Sequence, residues 1–159
     1  MTSSIRNTAE VPGNFLGKRG REEKSVMPST AFPKADFRIS IKNSSEHPYI
    51  NWLATGIKKA EGRINTEYFR RLKIDDTICF YNQRKFVLCK VTYLNKYPSF
   101  EKMLEGEGLH NMLPFAKSVS EGVNVYRGFP GSDRVRRFGA VAIGVNPIES
   151  NIGITSGSI

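Results

Sequence analysis

Two cysteines, two histidines and one tryptophan in 159 residues leave little material for several kinds of chemistry. Cys79, Cys89, His47 and His110 show neither CxxC nor HxxxH spacing, so no zinc site is expected and no metal ligand is assigned. Both cysteines lie in apolar, strand-like runs. They are read as small core residues, kept as free thiols in a reducing compartment. No apolar run approaches the roughly 20 residues of a membrane span, and the N-terminus lacks the apolar stretch of a secretory signal. The expectation is a soluble intracellular protein without a membrane partner. GxGxxG, P-loop and internal repeat are all missing, and no cofactor is expected.

What is abundant is positive charge. Lysine and arginine number 24 against 15 acidic residues, for a net charge of +9 and a pI near 9.7. This balance favours anionic partners, with nucleic acid ahead of an anionic membrane surface. The length suits one domain with tails. Residues 1–35 are rich in Ser, Gly, Asn and Pro without an apolar period, and read as a disordered basic tail. Lys18-Arg19-Gly20-Arg21-Glu22-Glu23-Lys24 within it reads as solvated tail, nuclear-import segment or loose phosphate-contacting arm. The compartment is therefore cytoplasmic or nuclear.

Residues 36–42 alternate apolar and polar, the period of a half-buried strand. Residues 48–55 place Tyr49, Ile50, Leu53 and Ala54 on one helical face, and Gly56 stands at the natural C-terminal stop. A short strand is expected from Lys58 to Ile64. Thr66 starts a helical turn over 67–72, and strands follow over 77–81 and from Phe86 to Tyr93, the second running on toward Lys96. Ser99 is a good N-cap for Phe100–Leu104, and a broken helical segment follows over 105–114. Ser118 caps a helix over Val119–Phe129. Ser132 opens a turn bearing Arg134, Arg136 and Arg137. Phe138–Val145 closes the fold as a small apolar strand, and a polar tail starts after Pro147. Strands interleaved with short helices, without a regular βαβ repeat, argue for an α+β barrel of modest size.

The order and spacing of four features resemble the ASCH family of the PUA-like superfamily. They are Gly56-Ile57-Lys58 with Glu61 and Arg63, and Leu72-Lys73-Ile74-Asp75-Asp76-Thr77-Ile78. The third is Tyr97-Pro98-Ser99-Phe100-Glu101-Lys102-Met103-Leu104 followed by Glu107-Gly108-Leu109 and Leu113-Pro114. The fourth is Glu121-Gly122-Val123 with Tyr126-Arg127 and the closing strand. The resemblance covers residues 36–147 as an ASCH/PUA-like domain, leaving 148–159 as a flexible tail. It implies a small mixed β-barrel with short helices over a cleft on the Lys58–Arg63 side, and binding of RNA or DNA, or of a nucleoside-sized ligand. Some small relatives hydrolyse N4-acetylcytidine-type nucleosides with a lysine and a threonine of this motif and a later glutamate. Lys58 and Arg63 match the motif, Glu61 stands where the threonine would be, and Glu105 or Glu107 corresponds to the later glutamate. A carboxylate attacking an amide would give a high-energy anhydride. The resemblance thus implies a non-catalytic nucleic-acid-binding module, RNA before DNA. The alternative is an amidohydrolase using Lys58, Glu61 and Glu107, with Glu61 activating water and Lys58 stabilising the oxyanion.

Strand alternation would turn Lys59, Glu61 and Arg63 to one face and Lys58 to the other, unless the turn before the strand twists it. Read from the residues alone, Glu61 and Arg63 form a surface ion pair worth up to about 1 kcal/mol. Read with the family, Glu61 lies in a ligand cleft and Arg63 grips phosphate. Lys58, Lys59, Glu61, Arg63, Arg127 and the Arg134, Arg136, Arg137 group are the candidate ligand contacts, with Tyr126 as a stacking face. Tyr68, Tyr81, Tyr97 and Phe129 are further aromatic candidates. Arg70, Arg71, Lys73, Arg84 and Lys85 would join an electrostatic footprint if they gather on one rim.

Overall fold

A computed structural model of the chain describes residues 32–152. Residues 1–31 of the tail expected over 1–35, with its Lys18–Lys24 segment, and residues 153–159 lie outside the described residues. Residues 34–81 and 85–152 form one compact unit carrying the candidate site, and Phe32, Pro33 and Asn82–Arg84 belong to a second. In chain order the elements are β1 (Phe37–Ser40), α1 (Tyr49–Thr55), β2 (Ala60–Ile64), α2 (Glu67–Arg70), β3 (Thr77–Asn82) and β4 (Lys85–Tyr97). Then come α3 (Phe100–Glu107), α4 (Leu109–Met112), α5 (Val119–Arg127), a 3-10 turn (Ser132–Arg134), α6 (Val135–Phe138) and β5 (Ala140–Ser150).

The five strands form a half-barrel sheet in the order β1-β3-β4-β5-β2, so β1 and β2 are its two edges. β1 runs parallel to β3, while β5 is antiparallel to both β4 and β2. The expected α+β barrel of PUA-like type is the fold observed. Its core lies on both faces of the sheet, and β5 serves both. Val141, Ile143 and Val145 pack with Ile50 and Leu53 of α1 and with Ile78 and Phe80 of β3. Ala140 and Ala142 point the other way, into a cluster with Phe100, Met103 and Leu104 of α3, Met112 of α4 and Tyr126 of α5. Period-two alternation along one strand thus builds two cores. Cys79 and Cys89 are buried free thiols, as expected. Burial pushes them up to about 11 and about 12, so both stay protonated near neutrality.

Local chemistry sets the element ends. Gly56 sits at φ 82°, the left-handed conformation that stops α1. Ser99 and Ser118 hydroxyls each accept from the backbone N–H three residues on, at 3.1 Å, and cap α3 and α5. Several boundaries differ from expectation. α3 runs on through Gly106 to Glu107, α5 stops at Arg127 rather than Phe129, and β2 begins at Ala60 rather than Lys58. The closing strand starts at Ala140 and continues through Pro147 to Ser150, with Ile152 buried, so ordered structure passes the expected edge at 147. The register explains how proline is tolerated there. Cys89 pairs with Pro147 and Leu88 with Glu149, so Ile148 is the extra residue of a bulge that absorbs the missing N–H.

Gly144 is the tightest of the described glycines. It pairs with Tyr93, whose ring lies across it; a Cβ there would stand 2.2 Å from Tyr93 Cε2. Gly144→Ala is therefore expected to destabilise by about 1–3 kcal/mol through overpacking. Urea denaturation would register this as a lower midpoint at unchanged slope.

Candidate functional site

The link from α1 to β2 decides how the charged motif is presented. The Lys58 N–H donates to Trp52 O at 3.0 Å, so Lys58 belongs to the turn that closes α1 and does not follow the alternation of β2. The turn twists Lys58 out of the alternation of the strand, the exception left open above. Lys59 is exposed and its ammonium donates to Gly56 O at 3.1 Å, while Lys58 turns inward and joins Glu61. Lys58 is 1% exposed. Its Nζ donates to Met112 O of α4, lies 3.3 Å from Glu61 Oε1 and sits 5.6 Å from the centre of the Tyr49 ring.

Glu61 and Arg63 pair with Ile143 and Val141 in the β2–β5 register and so face the same side as those core residues. Arg63 Nε donates to Glu61 Oε2 at 2.9 Å. Arg63 Nη2 reaches Ser40 O at 3.4 Å, spanning the open side of the half-barrel from edge β2 to edge β1. The surface ion pair expected of Glu61 and Arg63 is instead a largely enclosed triad, since Glu61 is 8% exposed. Burial alone would raise the Glu61 carboxyl, but the charges of Lys58 and Arg63 and their hydrogen bonds outweigh it and hold the pKa below the ordinary value. For Lys58 the order is reversed: burial lowers its pKa and the Glu61 charge only partly restores it. Tyr49 is pushed up to about 12, by burial first and then by Glu61.

The arginine side chains extend the triad outward. Arg63 lies over the Phe69 ring at 5.6 Å, and the next residue, Arg70, lies 6.0 Å from the Phe138 ring, which Arg137 also covers at 5.1 Å. Lys42, two residues past Ser40, stands 5.3 Å from the ring of Phe129. Cations from β2, α2 and α6 are thus tied into one strip by Phe69 and Phe138. Arg127, Arg134 and Arg136 are exposed on the same α5–α6 stretch of chain.

Two expectations are corrected by burial and packing. Tyr126 is 4% exposed and its ring stacks on Phe100 at 5.0 Å, so neither face is open to a base. Glu107 is occupied elsewhere. Its carboxylate accepts from Tyr93 Oη at 2.7 Å, Asn95 Nδ2 at 2.8 Å and Tyr97 Oη at 2.6 Å, pinning the end of α3 to β4. Glu105 is exposed and lies 3.7 Å from Lys102.

The model of the ASCH domain matches residues 44–149, two thirds of the sequence. The chain belongs to the ASCH domain family. Two solved structures are similar to this ASCH domain. The crystal structure of hypothetical protein PH0355 is 39% identical, with a TM-score of 0.63, over 70% of this chain and 98% of that one. The solution NMR structure of protein PF0455 from Pyrococcus furiosus is 34% identical, with a TM-score of 0.59, over 71% and 97%. No curated protein matches.

Some parts of this ASCH site carry no sequence signal. The Met112 carbonyl that receives Lys58 is a backbone group 54 residues away. The Ser40 carbonyl under Arg63 is another. Phe69 and Phe138, which join the arginines, look like ordinary core residues in the sequence. Among the described residues no cluster of His, Cys, Asp or Glu is arranged to hold a metal ion, and no helix is long and apolar enough to cross a membrane.

Proposed function

We propose that this ASCH domain is a non-catalytic nucleic-acid-binding module that takes RNA in preference to DNA. The observation that carries the proposal is the cationic strip Arg63–Arg70–Arg137, held by Phe69 and Phe138, in a chain of net charge +9. Guanidinium groups ranged along one rim are the footprint expected for a phosphate backbone. The RNA preference rests on the PUA-like kinship. The non-catalytic reading rests on Glu61: both its oxygens are engaged by cations, and it replaces the hydroxyl an acyl-transfer route would use. Thr55, the nearest hydroxyl before the motif, donates to Asn51 O at 2.9 Å.

The test is fluorescence anisotropy with single-stranded RNA and DNA of equal length across a salt series. The expected result is binding that weakens steeply as salt rises, with RNA ahead of DNA. Binding no tighter than that of a charge-matched unstructured peptide would remove the proposal.

One observation favours a second reading, hydrolysis of N4-acetylcytidine-type nucleosides. Lys58, its pKa lowered by burial, lies 3.3 Å from a carboxylate, an arrangement able to handle protons. Glu61 would activate water and Lys58 would stabilise the oxyanion. Chromatography for cytidine and acetate after incubation with N4-acetylcytidine decides it, and no turnover removes this reading.

A further inference from the structure

The chain has two histidines, and both bear on one short turn, residues 113–116. His110 Nε2 lies 2.8 Å from Ala116 O. A carbonyl only accepts, so Nε2 carries a proton whether the ring is neutral or charged, and His110 is a fixed anchor. His47 is held differently. Its ring stacks on Phe115 at 3.9 Å between centres, with Tyr49 at 6.2 Å and Trp52 at 6.4 Å. Trp52 and Phe115 lie nearly parallel at 6.1 Å, and Tyr49 stands edge-on to both. All four residues are half-buried. Neither ring nitrogen of His47 bonds to protein among the described residues, and neither is sealed from solvent, so the imidazole can take up a proton in place.

The stack joins two pieces of chain that meet over Lys58. One is the start of α1, where Pro48 stands at the N-cap and no capping side chain is present. The loop before it is pinned instead, with Asn43 Oδ1 accepting from Ile50 N–H at 2.8 Å and Ser44 Oγ from His47 N–H at 3.0 Å. The other is the turn leaving α4, whose last residue, Met112, supplies the carbonyl that receives Lys58 Nζ. Tyr49 lies between them, its ring 5.6 Å from the same ammonium. The cover over Lys58 is thus made by residues 43–49 and 112–116, and His47 on Phe115 is the side-chain contact that closes it.

We propose that His47 is a proton-operated clasp, tightening the cover over Lys58 when its ring is charged and loosening it when neutral. A neutral imidazole on Phe115 is held by ring stacking alone. An imidazolium in the same place is a cation facing aromatic rings, whose quadrupoles attract it. Histidine is the side chain that makes this change near neutrality. The surrounding charges divide. Behind Tyr49, Lys58 and Glu61 stand 3.3 Å apart and largely cancel at the distance of His47. Arg63 opposes protonation, but its side chain is 27% exposed and screened. The Tyr49 hydroxyl, pushed up to about 12, stays neutral. Exposed Glu46, the chain neighbour of His47, favours the charged ring, and exposed Lys117 and His110 on the far side of the turn oppose it. These exposed charges act through water, whereas Phe115 touches the ring directly, so ring contact sets the sign. The clasp belongs to the free domain and does not depend on which ligand the domain takes.

Amide hydrogen exchange on the free protein tests the proposal, with rates corrected for the intrinsic effect of pH. Protection over residues 49–52 and 113–116 should fall roughly two- to fivefold between about pH 5.5 and about pH 8, the worth of one exposed cation–π contact. His47→Phe keeps a ring that cannot be charged, so its protection should be the same at both pH values. His47→Gln removes the ring and should give the lower protection at both. His110→Gln should keep the wild-type ratio, since that anchor does not switch. Wild-type protection that is level or rises with pH overturns the proposal. So does a ratio that persists in His47→Phe, or one that disappears in His110→Gln. Trp52, the only tryptophan, gives a second reading beside the clasp. Its emission should step across the same pH range in the wild type and in His110→Gln, and stay level in His47→Phe. A level wild-type emission, or a step that survives His47→Phe, overturns the proposal as well.

Discussion

Glu61→Ala is expected to destabilise the domain by roughly 3–5 kcal/mol, as measured by chemical denaturation, because it removes the one anion among buried cations. Lys58 is 1% exposed and would keep only the Met112 carbonyl as an acceptor. A carbonyl dipole solvates an ammonium far less well than a carboxylate does. Arg63, with its side chain 27% exposed, would turn to solvent and lose less. The asymmetry predicts an order. Glu61→Ala should cost more than Arg63→Ala, and the double change Lys58→Met with Glu61→Leu should recover much of the stability, since well-packed apolar residues replace buried ion pairs at little cost. A Glu61→Ala variant within about 0.5 kcal/mol of wild type, the range of ordinary surface changes, would contradict the enclosed triad.

The pH dependence of the same group carries a definite sign. Glu61 has a lowered folded pKa, so its stabilisation is present above the unfolded value near 4.3 and is lost as pH falls through the folded pKa. Lys58 also has a lowered folded pKa, because burial outweighs Glu61. The unfolded chain then binds more protons between that value and the unfolded one near 10.4, and stability from Lys58 rises with pH across that window. Cys79 and Cys89, pushed up to about 11 and about 12, act in the opposite sense above about pH 8.5, and Tyr49, pushed up to about 12, and Tyr126, raised by burial, do so above about pH 10, so the Lys58 contribution is read below about pH 8.5. Glu61→Ala removes what held Lys58 charged. Its stability deficit should therefore shrink as pH rises toward 10, whereas an uncharged core lesion such as Gly144→Ala should keep a constant deficit.

Much of this fold is legible in local pattern. The stop at Gly56, the caps at Ser99 and Ser118, and the half-buried strand beginning near Phe37 follow from short-range chemistry that the rest of the fold does not override. The ordered spacing of the Lys58, Glu61, Arg63 motif and later segments is enough to place the chain in its family. What stays hidden depends on partners far apart in sequence. Lys58 lies two residues before β2 begins, and strand alternation carried back to it turns it away from Glu61; the backbone bond to Trp52 sets its direction instead. Tyr126 resembles a stacking face because an aromatic on a helix carries no label for its depth, and only the packing of α5 on Phe100 buries it. Glu107 resembles a candidate acid, yet two tyrosines and an asparagine of β4 occupy it, a set that a helical period cannot reveal. The end of β5 is masked because proline reads as a strand stop, and the bulge at Ile148 is visible only through pairing with β4.

The combined substitution of Arg134, Arg136 and Arg137 by alanine should lower the magnitude of the salt slope for single-stranded RNA by about two, at roughly 0.7 for each phosphate no longer neutralised, with affinity falling on the order of 10- to 100-fold near 0.1 M salt. All three side chains are exposed, on the 3-10 turn and α6, so the fold should lose little. Arg137 is the member tied to the strip, through Phe138 and Arg70 to the seam at Arg63. A triple change of Lys90, Lys96 and Lys117, also exposed but on β4 and ahead of α5, removes the same net charge from elsewhere and is the matched control. If charge alone drove association, the two triples would weaken binding equally, because long-range attraction depends mainly on the total. A localised footprint requires the arginine triple to change the slope and the lysine triple to change mainly the association rate. Equal slopes would mean that the Phe-linked arginines are a packing device at the open side of the half-barrel, and phosphate binding would have to be sought on another face.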